Sequence, residues 1–466
     1  MNSVLYSQGS AAAPSGPTLE SILDLSHARK AWHRVRRNQG APGVDGMAIR
    51  EVDQAFDELW AGLVQNIQEG DFQPLPVRRV MIPKSDGGER QLGIPTVMDR
   101  VLAQTLHLAL SPVWEPTFSP MSFGYRPGRM AIQAVAASRQ SIQAGNTWAL
   151  HLDIKDYFDS VPHELVLKLL SNRLSDTRVV DLVSRLLRTG VCDQLLVRVS
   201  DRGITQGSPL SPLLANIVLH EFDSWLTERG LAFARYADDC LILLPDEQSA
   251  QALLAEIPHY LTQLGLELNT EKTGSTLAHE ADFLGYSFRP AEDGRTRIVI
   301  AHDSLNRMKA ALNGIIQNRW HNDYESSFRE CQQLFTSWQS YYSHSEDPSQ
   351  LRDLLDYAEQ GLKNSFPSQC SSSDRIATQL MTPPQPSLYS QNPPQHQTPN
   401  YAGQLPTPRS FPDWPASLRL FWRRLPRQRF VKLRVNLGLS GKRRKGLFRT
   451  RSVSLVICGQ EFRFSL

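Results

Sequence analysis

The sequence predicts an α+β fold whose chemistry sits on an antiparallel sheet, and two observations carry that prediction. The segment Tyr236-Ala237-Asp238-Asp239 sets adjacent carboxylates against the strand-like run Leu241-Ile242-Leu243-Leu244. Upstream, apolar Trp148-Ala149-Leu150 leads into His151-Leu152-Asp153-Ile154-Lys155-Asp156-Tyr157-Phe158-Asp159, so a buried strand delivers Asp153 at its end. Neighbouring ionised carboxylates flanked by apolar residues repel each other, and divalent cations relieve that repulsion best. Asp153 and Asp238 on adjacent strands could bracket two magnesium ions about 4 Å apart, with Asp239 as a further ligand and Ile154 beside them in the metal set.

The remaining elements follow in chain order. Residues 1–17 are small and polar and read as disordered. Thr18 caps a helical pattern through Ile22, Leu23, Leu25, Ala28 and Trp32. A second amphipathic pattern covers 52–69, with Phe56, Leu59, Trp60 and Leu63 on one face. Val77 to Pro95 alternates like a strand pair around the turn Ser85-Asp86-Gly87-Gly88. Helices are expected at 98–113, 130–143, 161–189, 208–228 and 247–264, with strands flanking Asp238 and returning at 282–288 and 296–300. From 303 to 366 the pattern is mostly helical. Between 367 and 412 the composition turns to Ser, Gln and Pro, which builds no core and reads as a linker. Val431, Leu433, Val435, Leu437 and Leu439 then alternate with polar residues, as do Val453, Leu455 and Ile457, so 413–466 reads as a β-rich unit.

Charge divides the chain unevenly. Residues 409–466 carry 15 Lys or Arg against 2 Asp or Glu, leaving 35 basic and 45 acidic residues before them. A nucleic acid partner fits that basic tail, with Lys432, Arg434, Lys442, Arg443, Arg444 and Lys445 as its candidate phosphate contacts. The five cysteines are scattered without a CxxC pair and read as free thiols of a reducing compartment. A basic start followed by an apolar core is absent, and no apolar run reaches bilayer length, so a cytoplasmic protein without a membrane partner is expected.

A series of motifs runs in order along residues 18–366. It comprises Gly40-Ala41-Pro42-Gly43-Val44-Asp45-Gly46, Ile82-Pro83-Lys84 with Arg90, Gly93-Ile94-Pro95-Thr96, and Phe123-Gly124-Tyr125-Arg126-Pro127-Gly128. After the Asp153 segment come Gly203-Ile204-Thr205-Gln206-Gly207-Ser208-Pro209, the Tyr236 segment, Leu268-Asn269-Thr270-Glu271-Lys272-Thr273, and Phe283-Leu284-Gly285-Tyr286. In this order and spacing the chain resembles reverse transcriptases of the bacterial group II intron type. The resemblance implies a right-hand polymerase fold, with fingers and palm over 18–295 and a helical thumb over 296–366. It also implies extension of a DNA or RNA primer with dNTPs on an RNA template, and a structured cognate RNA as a partner.

Residue roles follow from the same resemblance. Lys84 and Arg90 match fingers residues that contact the triphosphate. Phe158 matches the ring that blocks a ribose 2′-hydroxyl, Gln206-Gly207 the segment lying against the incoming nucleotide, and Tyr125 and Arg126 the template side of the fingers. Lys272 could give a proton to departing pyrophosphate, since an ammonium beside a developing anion is both acid and counter-charge. The chain departs from the family after the thumb, where a helical maturase segment is expected and strand periodicity stands instead. Two other readings fit the same residues: an RNA-binding, maturase-like or scaffold protein with vestigial polymerase activity, and a polymerase that adds DNA without a template or makes RNA.

Overall fold

The computed structural model describes residues 16–83, 89–193, 196–317, 323–367, 369 and 376–380, with three strand segments further on, Arg434–Asn436, Ser452–Ile457 and Gln460–Ser465. The chain divides into two compact units, Met1–Val191 with Val199–Leu388, and Cys192–Arg198 with Tyr389–Leu466. The first unit holds every motif of the series except those residues outside the described set.

Its N-terminal part is helical. Thr18 caps Leu19–Leu23, but the pattern read as one helix breaks at Asp24, whose carboxylate accepts from Ser26 N (2.9 Å) and opens a second helix, Leu25–Arg37. Trp32, Phe56 and Trp60 stack in sequence, at 5.4 and 6.4 Å between rings, and fasten this helix to Ile49–Gln68. The strands Val77–Pro83 and Glu89–Ile94 then pair antiparallel, Arg78 opposite Ile94 and Ile82 opposite Arg90. The turn expected between them lies outside the described residues.

The central sheet is antiparallel throughout, in the order Ala232–Tyr236, Asp239–Leu244, Trp148–Leu152, Gly274–Leu277. Both its faces are buried. Leu150, Leu152, Cys240, Ile242 and Leu244 join the large core with the helices Val97–Trp114, Ser211–Glu228 and Glu247–Gln263. Ala149, Ala234, Leu241 and Leu243 point the other way, into a second cluster with the helix Ala131–Gln143. That double burial explains why the strand at 241–244 reads as an unbroken apolar run rather than alternating. The pattern expected as helical over 161–189 is two helices, His163–Ser171 and Thr177–Leu187.

Two boundaries differ from the expectation. Thr296–Ile300 pairs with Tyr286–Pro290, which also pairs with Asp282–Phe283, so residues 296–300 belong to a small sheet and the helical region starts at His302. Three helices follow, His302–Gln317, Tyr324–Tyr341 and Pro348–Ser365, around Met308, Leu312, Phe335, Leu354 and Leu362. The stretch read as linker from 367 contains a fourth, Ile376–Leu380, whose Ile376 and Leu380 are buried in the same cluster. Two apolar side chains one turn apart suffice to dock so short a segment.

In the second unit Ser452–Ile457 pairs antiparallel with both Arg434–Asn436 and Gln460–Ser465. Among the described residues no helix is long and apolar enough to cross a membrane. Cys240 and Cys331 are buried free thiols; burial pushes the Cys331 thiol up to about 12.

Candidate active site

Asp238 sits in the two-residue turn of a hairpin in which Tyr236 faces Asp239. Ala237, the first residue of that turn, is left-handed at φ +59. Such a conformation costs a non-glycine residue roughly 1–3 kcal/mol and persists only where its surroundings impose it. Gly124 lies directly on the turn: a Cβ there would stand 2.2 Å from Ala237 N, so only glycine permits the approach. The loop around it is bonded to the neighbouring strand, Phe123 N to Arg235 O at 2.8 Å and Arg235 N to Met121 O at 2.9 Å.

Asp153 follows the strand Trp148–Leu152, one position beyond the Leu152–Cys240 pair. The turn after Leu268 wraps it. Asn269 donates from Nδ2 to Asp153 Oδ2 at 2.7 Å and from its backbone N–H to Asp153 O at 2.9 Å, while Asp153 N donates to Thr273 Oγ1 at 3.2 Å. His151 lies 2.7 Å from Asp239 Oδ1 through Nε2, and that carboxylate raises the imidazole above its ordinary range. Asn269, Thr273 and His151 were not singled out from sequence. The first two lie inside the motif at 268–273, and His151 alternates with Leu150 and Leu152 on the strand, so both signals were present.

Behind Asp153 the chain turns through left-handed Asp156, φ +43, into the short helix Tyr157–Ser160. Tyr157 is buried and donates to Ala215 O at 2.7 Å. Phe158 is half-buried, edge-on to Tyr157 (5.7 Å) and to Tyr125 (6.4 Å). Tyr125 itself is exposed and left-handed at φ +60. The Phe158 carbonyl accepts from Ile204 N at 2.7 Å, which ties this helix to the Gln206-Gly207 segment.

Gln206 and Gly207 press on the fingers strand. Gly93 N donates to Gln206 O at 2.9 Å, and a Cβ on Gly207, at φ +115, would lie 2.4 Å from Gly93 O. Arg90 occupies that same strand, opposite Ile82, whereas Lys84 lies outside the described residues. Lys272 is exposed on the turn that wraps Asp153. Lys432, Lys442, Arg443, Arg444 and Lys445 lie outside the described residues, and Arg434 is described only as a strand position opposite Val456.

Arg126 corrects the sequence expectation. It is buried, and its guanidinium donates to the Glu115 carboxylate (2.8 Å), Ser119 O (2.6 Å), Ser122 O (2.7 Å) and Glu115 O (3.3 Å) while stacking over Phe118. A guanidinium has five N–H donors. These are spent on the loop that carries Gly124 and Tyr125, so Arg126 shapes that loop and offers nothing to a phosphate.

Asp153, Asp238 and Asp239 present carboxylate oxygens, and Ile154, a buried residue, has only its backbone carbonyl to offer. These are hard oxygen donors of the kind magnesium or manganese takes. Among the described residues no three His, Cys, Asp or Glu side chains gather closely enough to enclose an ion by themselves.

Residues 82–288 match the family model described as reverse transcriptase (RNA-dependent DNA polymerase). The chain is 32% identical over 321 residues to Protein YkfC of Escherichia coli, covering 59% of this chain and 84% of that one. It is 29% identical over 235 residues to the group II intron-encoded protein LtrA of Lactococcus lactis, covering 50% and 39%. The retron Mx65 reverse transcriptase of Myxococcus xanthus is 32% identical over 203 residues, covering 41% and 46%. The chain thus spans most of the first relative and less than half of the other two. The matched region contains both carboxylate segments and the Gly93–Gly207 contact, and the chain belongs to the reverse transcriptases of the group II intron-like kind, RNA-directed DNA polymerases that use divalent metal ions.

Proposed function

We propose that the protein extends a nucleic acid primer with deoxynucleotides on an RNA template, using two magnesium ions held by Asp153 and Asp238. The observation that carries this reading is the pair of supports converging on one corner: the 268–273 turn clasping Asp153, and the Gly124 loop seated on the Asp238 turn. When bound, the metal ions lower the pKa of the primer hydroxyl and neutralise charge on the departing pyrophosphate. Asp153 and Asp238 hold them, with Asp239 and the Ile154 carbonyl alongside. Phe158 closes the space beside the sugar and disfavours a 2′-hydroxyl, its ring steadied by edge-on contacts with Tyr157 and Tyr125. The Gln206–Gly207 backbone gives the nucleotide a flat seat, Tyr125 offers an exposed ring for base stacking, and Arg90 and Lys84 contact the triphosphate. Lys272 protonates pyrophosphate as it leaves.

The basic residues of 413–466 neutralise RNA phosphates. Deleting them should lower RNA affinity and flatten its salt dependence, by about 0.7 in the log-log slope for each single-strand phosphate that they neutralise. An unchanged slope would assign the tail to another partner. Asp238→Ala should abolish dNTP incorporation on a primed RNA template while RNA binding persists. Equal loss of binding would make Asp238 a structural residue, and incorporation that ignores the template sequence would replace templated synthesis with untemplated addition.

A further inference from the structure

Arg235 lies behind the catalytic turn, three residues before Asp238, and its side chain is 1% exposed. Nε and Nη2 take both oxygens of Asp223, at 2.7 and 2.6 Å, and Asp223 is fully buried. Nη2 also donates to Ser122 Oγ at 2.8 Å, and Nη1 donates to Asn216 Oδ1 at 3.0 Å and to Ala237 O at 2.7 Å. Asn216 in turn donates from Nδ2 to Gly124 O at 2.9 Å. One guanidinium therefore joins the helix Ser211–Glu228, the Gly124 loop and the turn itself.

A buried ion pair is poor evidence of a stabilising purpose, since apolar side chains of the same volume often serve as well or better. What apolar side chains cannot do is donate to the Ala237 carbonyl. That carbonyl belongs to the left-handed residue of the turn, and its peptide plane is the one that leads into Asp238. The void beside it, lined by Leu152, Ile154, Phe222, Arg235, Asp238 and Cys240, measures about 10 Å³. That is the lower limit of the roughly 10–15 Å³ that one water needs, so at most a single water could enter, and it would lack the fork that fixes the Arg235 donor on the Ala237 carbonyl.

We propose that Arg235 is a positioning residue for catalysis: its hydrogen bond to the Ala237 carbonyl sets the peptide plane that presents Asp238, and Asp223, Asn216 and Ser122 aim the guanidinium. The proposal rests on the polymerase reading above. Replacing the pair by apolar side chains, Arg235→Met with Asp223→Leu, separates positioning from stability. Three quantities are read on each variant: the thermal midpoint, amide hydrogen exchange of peptides spanning 236–240, and steady-state dNTP incorporation across a magnesium series. The double variant should fold, with a midpoint below the wild type because the Asn216, Ala237 and Ser122 oxygens lose their donor, but above that of Asp223→Ala, which strands a charge. Exchange across the turn should rise and kcat fall, each by about tenfold, the equivalent of one buried hydrogen bond. Half-saturating magnesium should rise severalfold, with KM for dNTP held within about twofold. Arg235→Lys keeps the charge without the fork and should fall between the two.

A folded double variant with wild-type exchange, kcat and magnesium midpoint overturns the proposal. If it does not fold, Arg235→Lys decides by the same readings. If neither folds, Ser122→Ala decides, since it removes one aiming bond and spares the ion pair. It should move the same readings by less, and unchanged values would overturn the proposal. Wild-type protein that incorporates no dNTP would count against the polymerase reading instead, and the exchange measurement would still test the hold on the turn.

Discussion

Asp153 and Asp238 stand just outside the same end of neighbouring strands, yet they are held by different physics. The support of Asp153 is polar and half open to solvent, two side chains from the 268–273 turn. The support of Asp238 is dry and charged, and joins elements more than a hundred residues apart. At the first, water can substitute for a lost partner, so removing one bond costs about 0.5–1.5 kcal/mol. At the second, removing one partner strands a charge, at about 3–5 kcal/mol. A polymerase site built this way loses only local support at Asp153 when one side chain is removed, whereas at Asp238 removing one member of the ion pair also costs stability.

The largest effect should come from Asp223→Ala, which leaves Arg235 buried without its counter-ion. Unfolding free energy should drop by about 3–5 kcal/mol in denaturant titration, and activity should fall further than the folded fraction, because the Arg235 guanidinium loses the carboxylate that aims it. A drop under about 1 kcal/mol would mean that the cavity around Arg235 admits water after all.

Asp99 sharpens the comparison with a third kind of support, a buried carboxyl whose Oδ2 has no hydrogen-bond partner in a cavity lined by Thr205, Ser208 and Ser211. Burial pushes its pKa from 3.8 up to about 7. The folded state therefore binds the proton more tightly than the unfolded chain does. Below 3.8 both states are protonated and there is no penalty; between 3.8 and about 7 stability falls as pH rises, and above that the full cost is in place. Asp99→Asn should remove this slope, so its gain in thermal midpoint over the wild type should be small at about pH 4 and grow to several degrees at about pH 8. A gain independent of pH would show that Asp99 is not the titrating group.

The contrast also explains what was legible in the sequence. Asp153, Asp238 and Asp239 stood out because each adjoins an apolar run that reads as a strand, and Trp148–Leu152 and the two strands flanking the Asp238 turn lie where that reading puts them, whereas the fourth strand, Gly274–Leu277, is not read from the sequence. Gly207 stood out because glycine beside a functional segment signals close backbone approach, here to Gly93. The burial of Arg126 and Arg235 did not. An arginine carries no mark of burial, and its partners Glu115 and Asp223 become neighbours only when a helix end or a strand packs against it. The resemblance puts Arg126 on the template side of the fingers, and only the folded chain shows its guanidinium spent on Glu115, Ser119 and Ser122. The helix Ile376–Leu380 was hidden by the Ser, Gln and Pro around it, being too short to show a period.

The smallest expected effect on stability gives the most direct test. Asn269→Ala removes the side-chain amide that donates to Asp153 Oδ2, at a half-open position where water can enter. Single-turnover dNTP incorporation on a primed RNA template and the thermal midpoint, taken on the same preparation, should part company. The rate should fall by about tenfold, while stability changes by less than about 1 kcal/mol. A rate equal to the wild type, or one that falls only as far as the protein unfolds, would contradict the account of two separately supported carboxylates.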